Sequence, residues 1–217
     1  LKKVAVIVDG QFLMHRIKDA LAAKKFPDAD QISKFLTSLN VDGEEIYRIF
    51  FYQGEPSKQK SKKPISKAEI EFKESETAKY SIDLLNELSK KELFAVRVGE
   101  TQFRGWKFKN WVERKFIKED FHESLTDDHF DPEFQQKGVD IKIGLDVAWL
   151  ASKSLVDRII LVTGDADFVP AMKFARKEGL QVVLIKLGEK RISDSLEIHS
   201  DYVRNNSNDE IKKIILP

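Results

Sequence analysis

Four aspartates stand where this chain can most readily do chemistry: Asp9, Asp140, Asp165 and Asp167. Asp9 ends the apolar run Val4-Ala5-Val6-Ile7-Val8, and Thr163-Gly164-Asp165-Ala166-Asp167 follows the run Ile159-Ile160-Leu161-Val162. Each run reads as a strand buried on both faces, with no room for charge. If the strands are parallel, their carboxyl ends share one sheet edge, the edge at which open α/β sheets bind ligands. Asp140 opens an almost wholly apolar helix that leads back toward the start of the next strand, so its first turn belongs to that edge too. Carboxylates gathered there repel, each disfavouring the ionised form of its neighbours. A hard divalent cation, Mg2+ or Mn2+, relieves that repulsion. Mg2+ typically takes a few carboxylates and keeps waters that can act as nucleophile or orient a phosphate. Taken singly, Asp165 or Asp167 has a plainer use, accepting hydrogen bonds from the free N–H groups of a helix start. Asp146 lies about 120° round the helix from Asp140 and shares a stripe with Lys142 and Lys153, which predicts an ion pair one turn away.

The elements that must position these residues follow from periodicity. Phe12, Leu13, Ile17, Ala20 and Leu21 predict a helix after Asp9, broken by Pro27; Asp30 is expected to cap a second one through Ile32, Phe35, Leu36 and Leu39. Residues 46–52 and 93–98 read as further strands. Residues 54–67, rich in Lys, Ser and Pro, read as a mobile basic loop, before a long helix through Ile70, Ile82, Leu85 and Leu88. Residues 119–131 read as an acidic loop, with Asp131-Pro132 as cap and first position of a helix. The turn at Asp165 leads into a helix stopped by Gly179, then a strand over 180–185 and a weak closing helix through Leu196, Ile198, Tyr202 and Val203. Residues 211–216 are expected as an edge strand in a polar tail. Five strands separated by helices predict an α/β fold, a doubly wound parallel sheet flanked by helices. The expected organisation is a single domain over 1–204, carrying the basic loop 54–67 and an inserted hairpin or loop over 101–135, with a C-terminal tail over 205–217.

The inserted segment has its own chemistry. Arg104, Lys107, Lys109, Arg114 and Lys115 interleave with Phe103, Trp106, Phe108, Trp111 and Phe116. Cations that meet phosphates and rings that stack bases make Arg104, Trp106, Lys107, Lys109, Trp111, Arg114 and Lys115 a candidate RNA surface. The same alternation describes a hairpin whose rings pack on the body while its charges are solvated. Both readings stay open at this level.

Composition removes other classes. Lys and Arg number 37 against 36 Asp and Glu, so any anion binding must come from local clustering. The absence of cysteine excludes a disulfide scaffold, thiol catalysis and Cys-ligated zinc. His15, His122, His129 and His199 show no metal spacing, no Ser-His-Asp grouping is discernible, and Gly164 sits in no phosphate-loop pattern. No apolar run approaches the ~20 residues of a membrane span. A soluble globular protein of the cytoplasm is the expectation.

Three motifs together carry a resemblance: Val8-Asp9-Gly10; Lys137-Gly138-Val139-Asp140 with Asp146 beyond it; and Thr163-Gly164-Asp165-Ala166-Asp167-Phe168-Val169-Pro170 followed by Gly179 and Val182. Over residues 4–53 and 136–203 the chain resembles the NYN domain of the PIN-like nuclease superfamily, in particular its LabA-like branch. The resemblance implies a PIN-like fold and metal-dependent cleavage of RNA phosphodiesters. It sets Asp9, Asp140, Asp165 and Asp167 on the family's acidic positions for Mg2+ or Mn2+, with Asp146 on a further acidic position. Thr163 would orient a metal-bound water. The implied partner is RNA, single-stranded or locally unpaired, and a homodimer is left open. One departure stands out: the family's Asp-Gly-x-Asn reads Asp-Gly-Gln-Phe here, with Phe12 in place of the amide. Phe12 favours the first rival, an RNA-binding or scaffolding module of the same fold with weak or absent catalysis. A haloacid-dehalogenase-type phosphatase wants Asp-x-Asp at the first strand, and Asp9-Gly10-Gln11 lacks the second acid. A receiver-like domain would want its paired acids there as well.

Overall fold

The apolar runs become strands, in a computed structural model that describes residues 1–189 and 191–216. In chain order the elements are β1 (Lys2–Asp9), α1 (Gly10–Ala20), α2 (Ala29–Thr37), β2 (Glu44–Gly54), β3 (Lys60–Lys62), β4 (Glu69–Glu71), α3 (Glu76–Leu88), β5 (Phe94–Phe108), α4 (Asn110–Ile117) and β6 (Phe130–Lys137). They continue with α5 (Val139–Ser152), β7 (Arg158–Val162), α6 (Val169–Lys177), β8 (Gln181–Leu187), α7 (Asp194–Ile198), β9 (Tyr202–Asn206) and α8 (Asn208–Ile215). The chain folds as two units. One comprises residues 1–53, 84–98 and 138 onward; the other comprises 54–83 and 99–137.

In the first unit the sheet runs β5-β2-β1-β7-β8-β9. β1 pairs in parallel with β2 on one side and β7 on the other, and β7, β8 and β9 continue in parallel. The chain winds from β1 outward through β2 to β5, then resumes at β7 and winds the other way. The reversal falls between β1 and β7, where their diverging connections leave a crevice at the carboxyl ends. Both faces are covered, as all-parallel strands require. Ala5, Ile7, Ile159, Leu161, Val182 and Leu184 pack with α5 and α6 residues such as Ile143, Val147, Met172 and Ala175. Val4, Val6 and Val8 are equally buried and, by the two-residue period, point to the other face. Leu13, Ile17, Ile32, Phe35, Ile211 and Ile215 supply buried side chains from α1, α2 and α8, which pack together. α5 buries Ile143, Val147, Leu150 and Ala151 while Ile141, Leu145 and Trp149 remain exposed, so its apolar character exceeds what the core takes.

At the start of β2, Glu44 is buried between two arginines. It accepts from Arg158 and, at 2.6 and 3.1 Å, from Arg204, while the Val41 N–H donates to it at 3.0 Å. Burial pushes its carboxyl up, but those donors outweigh burial and hold it below the usual Glu range.

Several local expectations are corrected. Asp28, not Asp30, caps α2, because Gln31 returns the hydrogen bond in a capping box. Tyr202 and Val203 lie on β9 rather than on a closing helix, since the helix α7 has already ended at Ile198. The expected edge strand at 211–216 is the helix α8: Ser207 and Glu210 form a capping box, and Ile211 and Ile215, one turn apart, are both buried.

The second unit corrects more. The basic loop contains β3, which pairs antiparallel with β4, and Lys60 meets Glu71 across the ladder. Ile70 therefore sits on a strand, and α3 begins only at Glu76. Asp131-Pro132 does not start a helix but lies in β6, an outer strand where a missing N–H costs little. β6 pairs antiparallel with β5 from Glu100↔Lys137 to Phe108↔Phe130, which makes the inserted segment a long hairpin with α4 in its connection. Among the described residues no helix is long and apolar enough to cross a membrane.

Candidate active site

Asp9 is placed by a strand and used by a helix. It ends β1, and its Oδ1 accepts the Phe12 N–H at 3.0 Å, which caps α1. The turn from strand to helix is tight because Gly10 lies against β2: a Cβ there would meet the Phe51 ring at 2.6 Å and the Tyr52 carbonyl oxygen at 2.9 Å. Across the crevice Val8 is in register with Val162, so the next residue, Thr163, stands beside Asp9. The Thr163 hydroxyl approaches Asp9 Oδ2 at 3.5 Å and accepts the Asp165 N–H at 3.1 Å. Asp165 in turn accepts the Asp167 N–H at 2.9 Å and caps the single 3-10 turn Ala166–Phe168. The capping role expected of Asp165 or Asp167 taken singly is therefore real at Asp165, and Asp9, for which it was not expected, caps as well.

The electrostatics separate Asp9 from an ordinary cap. Burial pushes the Asp9 carboxyl above the usual Asp range, and the Asp165 charge raises it further; hydrogen bonds from the Phe12 and Gln11 backbone and from Thr163 oppose the rise. Asp165 is exposed while Asp9 is half-buried. Both line an open cavity of about 710 Å3, with Phe12, His15, Arg16 and Arg191. The donor set is oxygen only, and a buried carboxylate held beside a second one is relieved by a hard cation. In that chemical sense Asp9, Asp165 and the Thr163 hydroxyl fit Mg2+ or Mn2+. Among the described residues, however, no group of three or more His, Cys, Asp or Glu stands close enough to hold a metal. Asp140 is exposed on the first turn of α5, and Asp167 is exposed beside Asp165; neither lines the cavity.

Asp146 has other work. Its Oδ2 accepts the Tyr52 hydroxyl at 2.7 Å and Arg97 Nε at 2.9 Å, and its Oδ1 accepts Arg97 Nη2 at 3.3 Å. The ion pair expected with Lys142 or Lys153 is not formed; Lys142 reaches the Val98 carbonyl instead. A guanidinium on a neighbouring strand offers two donors in a fixed fork, which a lysine one turn away does not.

In the second unit the aromatics divide. Trp106 packs with Phe72 and Phe103 and donates its ring N–H to the Lys62 carbonyl at 3.0 Å; Phe134 joins Phe72 and Phe103. Of these rings Phe72 is buried, Phe103 and Trp106 are half-buried and Phe134 is exposed. Trp111 is exposed, touches His129 edge-on and has Lys115 over its ring at 5.2 Å. Arg104 is bonded to Gln135 at 2.9 Å, Lys107 stands 3.9 Å from Glu133, and Lys115 pairs with Glu123 at 3.1 Å. Lys109 precedes α4 at its cap position, and Arg114 is exposed on that helix.

Sequence reasoning passed over Phe12, His15, Arg16 and Arg191 as lining residues. The signal was present for three of them: Phe12, His15 and Arg16, spaced three and four residues apart, share one helical face about 100° round from Leu13, Ile17 and Ala20, and the cap at Asp9 sets that face beside the crevice.

Comparison with known proteins agrees with this architecture. Residues 84–206, more than half of the chain, match the NYN domain model. An uncharacterized protein of Methanocaldococcus jannaschii is 33% identical over 81 residues, a match that spans 37% of this chain and 33% of that protein. The crystal structure of a protein of unknown function from Vibrio parahaemolyticus superposes with a TM-score of 0.50 at 17% identity, covering 96% of this chain and 94% of the other, which speaks for the fold alone. With motifs, sheet topology and family model in agreement, the chain belongs to the NYN domain family.

Proposed function

We propose that this protein is a metal-dependent ribonuclease of the PIN-like superfamily, with its centre in the crevice between β1 and β7. The observation that carries the reading is the Asp9 carboxyl, raised by burial and by Asp165 at the point where the sheet reverses its winding. Asp9 and Asp165 would hold Mg2+ or Mn2+, Asp167 would join through water, and Asp140 would complete the acidic set. When bound, such an ion supplies an activated water and stabilises charge developing on the scissile phosphate. The chain's own part is to keep Asp9 in place through the α1 cap and to aim the Thr163 hydroxyl at the same point. RNA with an unpaired stretch is the substrate class, and the exposed Trp111 with Arg104, Lys107, Lys109, Arg114 and Lys115 would add affinity.

The test is a cleavage assay with purified protein, mixed single-stranded and structured RNAs, and Mg2+ or Mn2+ against chelator. Cleavage should require metal and be lost in Asp9→Asn, Asp140→Asn and Asp165→Asn. Equal activity of Asp9→Asn and wild type would remove the assignment. A second reading, an RNA-binding module with weak catalysis, draws on the replacement of the family amide by Phe12 and on the open acidic set. It predicts RNA binding without metal-dependent cleavage in the same assay.

A further inference from the structure

A pair of carboxylates repels a polyanion, so a nucleic acid that enters the crevice between β1 and β7 needs a fixed cation for the phosphate beside the reacting one. The cavity there offers two arginines. Arg191 is taken: its Nη2 donates to both carboxylate oxygens of Asp194, at 2.8 and 3.0 Å. Arg16 is held differently. Its guanidinium carbon lies 5.0 Å from the centre of the Phe12 ring, and among the described residues it makes no ion pair. A ring holds a guanidinium by its face and leaves the N–H donors at the edge of the plane unspent. Phe12 is itself fixed, because its ring lies against Gly164 so closely that a Cβ on Gly164 would stand 2.6 Å from Cε2. The ring thus bridges α1 and the Thr163–Asp165 turn, and the cation rides on it in the cavity that Asp9 and Asp165 line.

We infer that Arg16, stacked on Phe12, is the ligand for an RNA phosphate next to the acid pair, and that Phe12 is its positioning residue. This rests on the reading that the cavity takes RNA, but not on cleavage. It gives Phe12 a use that an amide at the same position would not supply: an amide offers no face for a cation.

The experiment measures binding of a short fluorescent single-stranded oligoribonucleotide in chelator, by anisotropy, over a series of salt concentrations. Arg16→Ala should weaken binding about tenfold, the low end of what losing a charge-assisted hydrogen bond costs. It should also reduce the salt dependence by the share of one phosphate, a slope change of about 0.7. Arg16→Lys should restore the slope but not the full affinity, since an ammonium lacks the flat, stacked fork. Phe12→Leu should weaken binding in the same direction, and combining it with Arg16→Ala should add little. If Phe12→Leu fails to fold, the two Arg16 variants decide, because Arg16 is half-exposed. Unchanged affinity and slope in folded Arg16→Ala, with the whole loss appearing in Lys107→Glu combined with Lys109→Glu, overturns the inference and assigns binding to the hairpin. Cleavage in Mg2+ or Mn2+ is read separately. Arg16-dependent binding without cleavage keeps this inference and removes the nuclease. Cleavage with an Arg16→Ala affinity equal to wild type does the reverse, and no RNA binding by wild type overturns both.

Discussion

The buried hydroxyl of Tyr52 donates to Asp146 at 2.7 Å. Tyr52 also stands opposite Asp9 in the β1–β2 register, so one residue supports the strand end that carries the proposed centre and consumes an acid that looked available to it. Burial, then the hydrogen bond and charge of Asp146, push the Tyr52 hydroxyl far above its ordinary range and keep it a donor at every physiological pH. With Arg97 on the same carboxylate, Asp146 holds β2, β5 and α5 together.

Asp146→Ala should therefore act on stability first. It leaves a buried hydroxyl without its acceptor, a loss of about 2 kcal/mol. Adding Tyr52→Phe should recover part of that loss, because the orphaned hydroxyl is then gone. Urea unfolding of the two single variants and the double variant measures the coupling; strictly additive values would show that the contact carries no energy.

Glu44 makes the protein acid-sensitive. Its folded carboxyl titrates below the ordinary 4.5, so the stabilisation is complete above that value and is lost as pH falls through the lower folded value. Glu44→Gln should cost about 3 kcal/mol at neutral pH by leaving two arginines without their charge partner. The gap between variant and wild type should close below pH 4.5. A gap that is constant with pH would place the loss in packing rather than charge.

Asp9 behaves with the opposite sign. A raised carboxyl costs nothing below its ordinary 3.8, and the cost is complete once pH has passed the raised folded value. Asp165→Asn removes the neighbouring charge and keeps the cap, since Asn also caps well. In chelator this variant should melt at or above wild type. Metal at ten times its dissociation constant should stabilise wild type by about 1.4 kcal/mol and the variant much less. Destabilisation of the metal-free variant, with no metal shift in either protein, would reduce both aspartates to caps.

The two tryptophans of the hairpin should part company. Trp106→Ala opens the cluster with Phe72 and Phe103 and should cost about 3 kcal/mol. Trp111→Ala, at an exposed position, should change stability by about 0.5 kcal/mol and lower RNA affinity by about 1 to 3 kcal/mol if a base stacks there. Thermal melts paired with RNA titrations of both variants check this; an affinity loss confined to Trp106→Ala would contradict it.

Steric constraint at the crevice is testable without ligand. A Cβ on Gly10 meets a backbone carbonyl at 2.9 Å as well as a ring, and backbone yields less than a side-chain tip. Gly10→Ala should cost about 2 kcal/mol, and a melting temperature equal to wild type would show that α1 can shift away from β2.

Much of this architecture was legible in local pattern. Two uninterrupted apolar runs, one ending at Asp9 and the other leading through Thr163 and Gly164 to Asp165, demand burial on both faces, and burial on both faces demands parallel strands with helices above and below. The edge that gathers Asp9, Thr163 and Asp165 follows from that alone. Other elements were legible but misread: Ser207 and Glu210 spell a capping box, and Asp28 with Gln31 spells another. Pro132 suggested a helix start because a missing N–H suits both a first helical turn and an outer strand, and only pairing with β5 chooses between them.

What the chain by itself determined is the set of strands, their buried faces, and the acids at their carboxyl ends, because these depend on periods of two and 3.6 residues and on the cost of burying charge. Tertiary structure alone decided how each polar side chain is spent. Asp146 went to Tyr52 and Arg97, Trp106 to an aromatic cluster, and Arg16 to the ring of Phe12. Hydrogen bonds and ring contacts act over a few ångströms, and which groups come within that reach across strands is set by register and packing, which no local spacing contains.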